Sequence, residues 1–245
     1  MKHIYTGWTP DPIDTRDHAY NAMRTGEPLL DRVDLSPNCS RIENQGQLGS
    51  CTGNAITSVL EYELRKAKKS RADLSRLFVY YNERMVEGTI NEDAGAIIRD
   101  GIKSLVTYGA PAETAWPYNI KKFTQKPTAT AYKKALPKRI VSYQRLSTVD
   151  DIKRCLASGS PVVFGFKVYE SFESDEVART GIVPIPLAGE RNLGGHCMYF
   201  DSYADGYIGA ANSWDSTWGL AGRCKFKEEH VANPNHFGDF WKVSV

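Results

Sequence analysis

The chain has 245 residues and a net charge of +2, with 41% hydrophobic and 24% charged residues. These values fit a globular protein with core enough for one two-lobed domain, and they give no charge excess of the kind that draws a protein to nucleic acid or to a membrane surface. No apolar run approaches the roughly 18 residues of a membrane span, and MKHIYTGWTPDPID has no apolar stretch of secretory type, so a cytoplasmic location is expected.

Residues 1–32 are polar and carry Pro10, Pro12 and Pro28. They read as an extension laid on a domain, extended and turning at its prolines, rather than as a domain. From Cys51 the stretch CTGNAITSVLEYELRKAKK places Ala55, Ile56, Val59, Leu60 and Leu64 at helical spacing. Ser50 is the expected N-cap, and Lys66, Lys68 and Lys69 crowd the C-terminal end. LSRLFVYYNERMVEG predicts a second helix, and GAIIRDGIKSLVTYG a third that stops at Gly109. Residues 119–138 are basic and read as an exposed crossover between lobes.

Beyond residue 138 the period changes. RIVSYQRLS reads as a strand, TVDDIKRCLASG as a short helix capped by Thr148, and PVVFGFKVYESF as a strand. HCMYFDSYAD, YIGAANSW, GRCKFK and DFWKVSV follow as strands parted by Gly and Asp turns. Helices followed by an antiparallel sheet make an α+β chain with two lobes, and a cleft between lobes is a common place for a site.

Five cysteines, Cys39, Cys51, Cys155, Cys197 and Cys224, are odd in number, widely spaced and without a CxxC pair. That argues against a disulfide framework and against a zinc or thioredoxin-like site. Cys51 differs from the rest. It stands at the predicted start of the longest helix, where free N–H groups and the helix dipole favour a thiolate. A nucleophilic thiol also needs a base, a group to orient that base, and donors for the oxyanion. His196, in LGGHCMYF, heads an apolar strand, and Asn212, in GAANSWDSTWG, ends the next one. Strands of a hairpin can set the two side by side, with Asn212 holding the imidazole toward Cys51 and the Gln45 amide reaching the oxyanion. The competing reading of Cys51 is a buried structural thiol. Cys39, Cys155, Cys197 and Cys224 read as buried hydrophobes, Trp8 and Trp241 as packing residues, and His230 and His236 as members of a surface loop.

QGQLGSC resembles the active-site loop of the papain-like cysteine peptidases, GGHCMYF their histidine strand and NSWDSTWG their asparagine motif. WPY at 116–118 and DAGA at 93–96 resemble the first lobe of that family. The order Cys, His, Asn fits, with His196 and Asn212 lying 145 and 161 residues after Cys51. The resemblance runs from about Val33 to Val245. It implies a papain-like domain over 33–245, with a helical lobe at about 45–118 and an antiparallel β-barrel lobe at about 139–245.

The resemblance implies a thiol protease (hydrolase) acting on polypeptides through a thioester. Cys51 would be the nucleophile, His196 the acid and base, Asn212 its orienter and Gln45 the oxyanion donor. Trp214 would shield the His–Asn bond, and Gly49, Gly95, Ala96, Gly165, Cys197 and Trp214 would meet substrate. The pocket for the second residue before the scissile bond would lie near Gly165, Cys197 and Ala96. No metal or organic cofactor is implied.

Three departures stand out. Leu48 replaces a disulfide cysteine of secreted members, Thr52 replaces the aromatic residue that usually follows the nucleophile, and Gly195 puts no side chain beside His196. The longer propeptide of secreted members is replaced by a tract, GWTPDPIDTRDHAY, that resembles the start of bacterial or phage relatives. That extension either crosses the cleft as an intramolecular inhibitor or braces the back of the lobes. Two alternatives keep the fold: a transpeptidase or amidase acting on a non-protein amide, and a latent binding module.

Overall fold

The computed structural model describes residues 7–20 and 28–245; what the sequence suggests for 1–6 and 21–27 lies outside the described residues. The helices are α1 (Cys51–Lys66), α2 (Arg76–Glu87), α3 (Ile98–Thr107), α4 (Ala129–Ala135), α5 (Val149–Ala157), α6 (Asp175–Thr180) and α7 (Glu228–Val231). The strands are β1 (Trp8–Thr9), β2 (Val33–Asp34), β3 (Ala96–Ile97), β4 (Ser142–Leu146), β5 (Val162–Tyr169), β6 (Ile182–Val183), β7 (Asn192–Ala204), β8 (Tyr207–Ala211), β9 (Arg223–Lys227) and β10 (Phe237–Ser244).

Local chemistry sets several boundaries. The Ser75 hydroxyl accepts from the Phe78 amide at the start of α2, and Gly88 in the left-handed region ends it. Thr148 and Asp151 form a reciprocal capping box at α5, a device that typically stabilises a helix by about 1 kcal/mol. α1 stops at Lys66, three residues before the last clustered lysine. Its expected cap forms differently: the Ser50 side chain makes no capping bond and turns to Tyr118 instead.

Every residue of α1 from Cys51 to Leu64 is buried, because α2 and α3 cover one side and the sheet the other. The sheet runs β4-β10-β5-β7-β8-β9-β6, with β2 also paired to β7. Alternation along its central strands divides the core. Phe164, Phe166 and Val168 of β5 and Met198 and Phe200 of β7 face one apolar cluster, together with Phe226 and Phe237. Val163, Cys197 and Tyr199 face the other, with Ile56, Val59, Leu60 and Trp241. Both faces are thus covered, and a one-residue slip would exchange them.

The helical lobe and antiparallel sheet match the expected class, but the pairing path is open rather than a closed barrel. One reason is visible at the β4 edge. Tyr20 donates its amide to the Arg145 carbonyl and Arg145 donates its own to the His18 carbonyl, both at 2.8 Å, so the extension occupies the hydrogen-bonding groups a closing strand would need.

Two local expectations are corrected. Residues 119–138 hold α4, capped by the Thr128 hydroxyl, and Tyr132 packs edge-on against Phe78 and Tyr108. A seven-residue helix has too few turns to show a period. His230 is not on a surface loop: it is buried in α7 against Phe237, with the half-buried His236 at its edge.

Candidate active site

Cys51 is the first residue of α1 and is fully buried. The turn before it is tied down residue by residue. The Gln45 amide N–H bonds the Ser213 carbonyl at 2.9 Å, and the Tyr118 hydroxyl bonds the Gln45 carbonyl at 2.9 Å while touching Ser50 Oγ. Gly49 N–H donates to both carboxylate oxygens of Asp93 at 3.0 Å, and Asp93 also receives the Tyr80 hydroxyl. The Gln45 side chain is clamped at both ends: Nε2 donates to the Leu48 carbonyl at 2.9 Å, and Oε1 accepts from Ser213 Oγ at 2.6 Å. One Nε2 hydrogen satisfies Leu48, and the amide carries a second.

His196 and Asn212 meet across β7 and the end of β8, with His196 Nε2 and Asn212 Oδ1 2.8 Å apart. Asn212 Oδ1 also accepts from the Ser213 amide at 2.8 Å, which fixes its orientation. The Trp214 ring stacks on the imidazole at 4.8 Å and is backed edge-on by Trp218 and Phe172, so the pair is walled off by aromatic carbon. His196 adjoins Cys197, whose backbone hydrogen-bonds the Cys51 sulfur. The structure therefore gathers Cys51, Gln45, Asn212, His196 and Trp214 around the head of α1.

The extension lies over this constellation. Gly7 sits against the sulfur: a Cβ there would be 2.4 Å from Cys51 Sγ and 2.8 Å from the Gly49 carbonyl oxygen. The Ala96 amide donates to the Gly7 carbonyl at 3.1 Å, and β1 pairs parallel with β3. The Trp8 ring lies on Gly165, where a Cβ would stand 2.0 Å from Cε2, and the Trp8 carbonyl crowds Gly195. Gly49, Ala96, Gly165 and Cys197 thus line the space that residues 7 and 8 fill, while Gly95 is held by the Tyr80 hydroxyl. Trp8 fills the cleft itself, a place that reading it as a packing residue did not reach.

A charged anchor continues the strap formed by residues 7–20. Asp11 accepts from Arg145 Nη2 and Trp241 Nε1, both at 2.8 Å, and from the Arg99 amide at 3.1 Å. Asp17 accepts from Arg99 and Arg145 at 2.9 and 3.1 Å. The turn of the strap falls at residues 15–17, held by Asp14, rather than at its prolines. Burial, and then the neighbouring Asp239 carboxylate, push the Asp11 carboxyl up to about 6; the Arg99 amide, Trp241 and Arg145 oppose this.

The thiol is enclosed by the strap together with α1 and the sheet. Burial pushes Cys51 up to about 12, Glu83 adds to the rise, and hydrogen bonds from the backbone of Cys197, Thr52 and Cys51 pull the other way. Thr52 does not replace the expected aromatic by filling the same space. Its hydroxyl donates to Glu83 Oε1 at 2.6 Å, and burial holds that carboxyl far above its ordinary range. Asp93, Tyr118, Ser213, Glu83 and the Asp11–Arg145–Asp239 cluster escape sequence reasoning. Asp93, Tyr118 and Ser213, inside the DAGA, WPY and NSWDSTWG stretches, and Asp11, inside GWTPDPIDTRDHAY, stand in motifs that could flag them.

All five cysteines are unbridged. Among the described residues no cluster of His, Cys, Asp or Glu could hold a metal ion, and no helix is long and apolar enough to cross a membrane.

Residues 30–236 match the family described as papain family cysteine protease. An uncharacterized peptidase C1-like protein of Acanthamoeba polyphaga mimivirus is 44% identical over 212 residues, covering 82% of this chain and 68% of that protein. Xylellain, a cysteine protease from Xylella fastidiosa, superposes with a TM-score of 0.92 at 34% identity, over 100% of this chain and 98% of its own. A procathepsin B from Trypanosoma congolense shares the fold at a TM-score of 0.78 and 20% identity, over 98% of this chain and 86% of its own.

Proposed function

Since the chain belongs to the papain family of cysteine proteases and is a cysteine peptidase acting on polypeptides, we propose that Cys51, His196, Asn212 and Gln45 carry its chemistry and that residues 7–9 hold it latent. The Cys51 thiolate attacks the peptide carbonyl, forming a C–S bond and placing negative charge on the oxygen. The second Nε2 hydrogen of Gln45 and the Cys51 backbone N–H receive that charge. His196 gives its proton to the leaving amine as the C–N bond breaks, then takes one from water as the water attacks the thioester. With Nε2 engaged to Asn212, Nδ1 is the ring atom that exchanges protons with the sulfur. The cleft would bind an extended peptide at Gly95 and Ala96, where the Ala96 amide now serves Gly7.

The observation that carries the latency is the position of Gly7: its α-carbon covers the sulfur and its carbonyl takes the amide a substrate backbone would use. Displacement of the strap would uncover the sulfur on the Gly7 side and so reduce the burial that raises its pKa, while the hydrogen bonds from the backbone of Cys197, Thr52 and Cys51 that lower it do not involve the strap. The same contact supports a second reading, a permanently closed papain fold that serves as a binding module.

The test is alkylation by an epoxysuccinyl probe near pH 6, read by intact mass, on the full chain, its Trp8→Ala variant and a Cys51→Ala control. Slow labelling of the parent and fast single labelling of Trp8→Ala, with peptide hydrolysis, supports latency. Equal fast labelling of both removes the inhibitory role. Absence of labelling and hydrolysis in both folded proteins supports the closed module.

A further inference from the structure

The Leu48–Gly49 peptide unit lies between the proposed oxyanion donor and a carboxylate. Its carbonyl accepts from Gln45 Nε2 at 2.9 Å and from the Ser50 amide at 2.8 Å. Its N–H donates to both oxygens of Asp93 at 3.0 Å. A peptide unit is planar, so fixing the N–H fixes the carbonyl as well. Turning the unit over would aim the N–H where the carbonyl now meets Gln45 Nε2, donor against donor. Gly49 permits the close approach: a Cβ there would stand 3.1 Å from Asp93 Oδ1. Asp93 is itself placed from behind. It receives the Tyr80 hydroxyl, whose oxygen also accepts from the Gly95 amide at 3.2 Å. Buried Arg84 lies 4.1 Å from the centre of the Tyr80 ring and donates to the Ile90 and Glu92 carbonyls at 3.0 and 2.9 Å, which holds the segment leading to Asp93.

We propose that Asp93 is a positioning residue for the peptidase reaction. It holds the Leu48–Gly49 peptide so that the Leu48 carbonyl takes one Nε2 hydrogen of Gln45 and leaves the other aimed at the oxyanion. The proposal rests on reading Gln45 as the oxyanion donor and Cys51 as the nucleophile. Gln45 has a long side chain, held at its tip by Ser213 on Oε1 and by Leu48 on Nε2. Without the Leu48 bond the amide can turn about its bond to Ser213. An oxyanion donor counts only if it is already in place when the charge develops, so a small displacement costs rate. Bonds to a carboxylate are stronger than bonds between neutral groups, which suits Asp93 as the fixed point of this turn. Through Tyr80 the same carboxylate reaches Gly95, on the edge proposed to bind a peptide backbone. The tie contains no sulfur, so it persists under the reducing conditions that a free thiol at Cys51 requires.

The experiment is a double-mutant cycle on the full chain with its strap loosened by Trp8→Ala, read with one fluorogenic peptide. Where Gln45 is present, Asp93→Ala should lower kcat at least about tenfold and leave KM within about twofold. In the Gln45→Ala background the same substitution should cost no more than about twofold, because the amide it positions is gone. Asp93→Asn keeps one oxygen for the Gly49 N–H and should restore kcat to within about threefold of the parent. Equal losses with and without the Gln45 amide, or a loss confined to KM, overturn the proposal.

A readout independent of catalysis separates this failure from failure of the peptidase assignment. In the otherwise unaltered chain, hydrogen exchange of the Gln45 side-chain amide, followed by NMR, reports its bond to the Leu48 carbonyl. Asp93→Ala should speed that exchange at least about tenfold and Asp93→Asn about threefold. The second variant, close to the parent in size, carries the test if Asp93→Ala does not fold. Faster exchange with hydrolysis absent throughout upholds the positioning and overturns the nucleophile assignment alone; unchanged exchange overturns the role of Asp93.

Discussion

Gly7 and Cys51 are in direct contact, with no room for a β-carbon between the strap and the thiol. Any side chain at position 7 must therefore lift the strap or displace the Gly49 turn, and the turn is held by Asp93 and Tyr118. The strap is the softer partner. Gly7→Ala should speed Cys51 alkylation by about tenfold or more, a lift costing on the order of 1–3 kcal/mol of docking, with little change in the fold. Alkylation rates of parent and variant at one pH check this; equal rates would show that the contact does not limit access.

Gln45 is positioned as much by Ser213 as by the chain around it. Gln45→Ala should reduce kcat/KM by about 10²–10³, the usual loss for one oxyanion donor. Ser213→Ala leaves the donor in place but frees its other end, so a smaller loss, about three- to tenfold, is expected in kcat with KM nearly constant. Steady-state kinetics on the strap-loosened Trp8→Ala background decide it; a Ser213→Ala loss as large as that of Gln45→Ala would mean that Ser213 does more than orient the amide.

Asp11 ties strap docking to pH. Its carboxyl is raised from an ordinary 3.8 to about 6 when docked, by burial first and by Asp239 second. The docked state therefore holds its proton more tightly than the released one. Stability from this group is fully present below about pH 4 and is lost as pH rises through about 6. The shift corresponds to docking weaker by on the order of 1–3 kcal/mol at neutral pH than at pH 4. Asp11→Asn removes that slope. Hydrogen exchange at Ala96, corrected for its intrinsic pH dependence, should show parent and variant diverging between pH 4 and 6 and running parallel above; parallel curves throughout would remove Asp11 from the account.

Glu83 and Thr52 predict a stability effect of the same sign. Burial raises the Glu83 carboxyl well above its ordinary value, so the fold favours the neutral acid and loses that contribution as pH rises through the raised pKa. Glutamine keeps the oxygen that accepts from Thr52 Oγ1 and cannot ionise. Glu83→Gln should match the parent at pH 5 and exceed its Tm by at least about 2 °C at pH 8. Thermal melts across that range check it, and a parent that is more stable at pH 8 would place an ionised carboxylate there after all.

Much of the helical lobe and the sheet could be read because α1 spaces its aliphatic residues at helical period, while β5 and β7 carry short aromatic and β-branched runs that fit strands buried on both faces. The Cys51, His196 and Asn212 positions could be read because their motifs are short and local. What could not be read depends on distance along the chain. Asp239 and Arg145 meet Asp11 only after folding, and nothing in DFWKVSV or RIVSYQRLS marks a residue that will face a cleft. Trp8 looked like any aromatic packing residue because its pocket is made by the absence of side chains at Gly165 and Gly195. α4 was lost to brevity, and His230 to a four-residue helix with no period of its own.

The anchor at Arg145 also bears on timing. The strap comes first in sequence, whereas Asp239 and Trp241, which hold Trp8 and Asp11, lie in β10, after every residue of the proposed catalytic set. As the polypeptide grows, the early segment can meet β3, Arg99 and Arg145, but its bonds to Asp239 and Trp241 wait until that last strand has joined β4 and β5. The full anchorage of the strap thus depends on the strand that comes last in sequence, so a chain interrupted before β10 would lack both partners that hold Trp8 and Asp11.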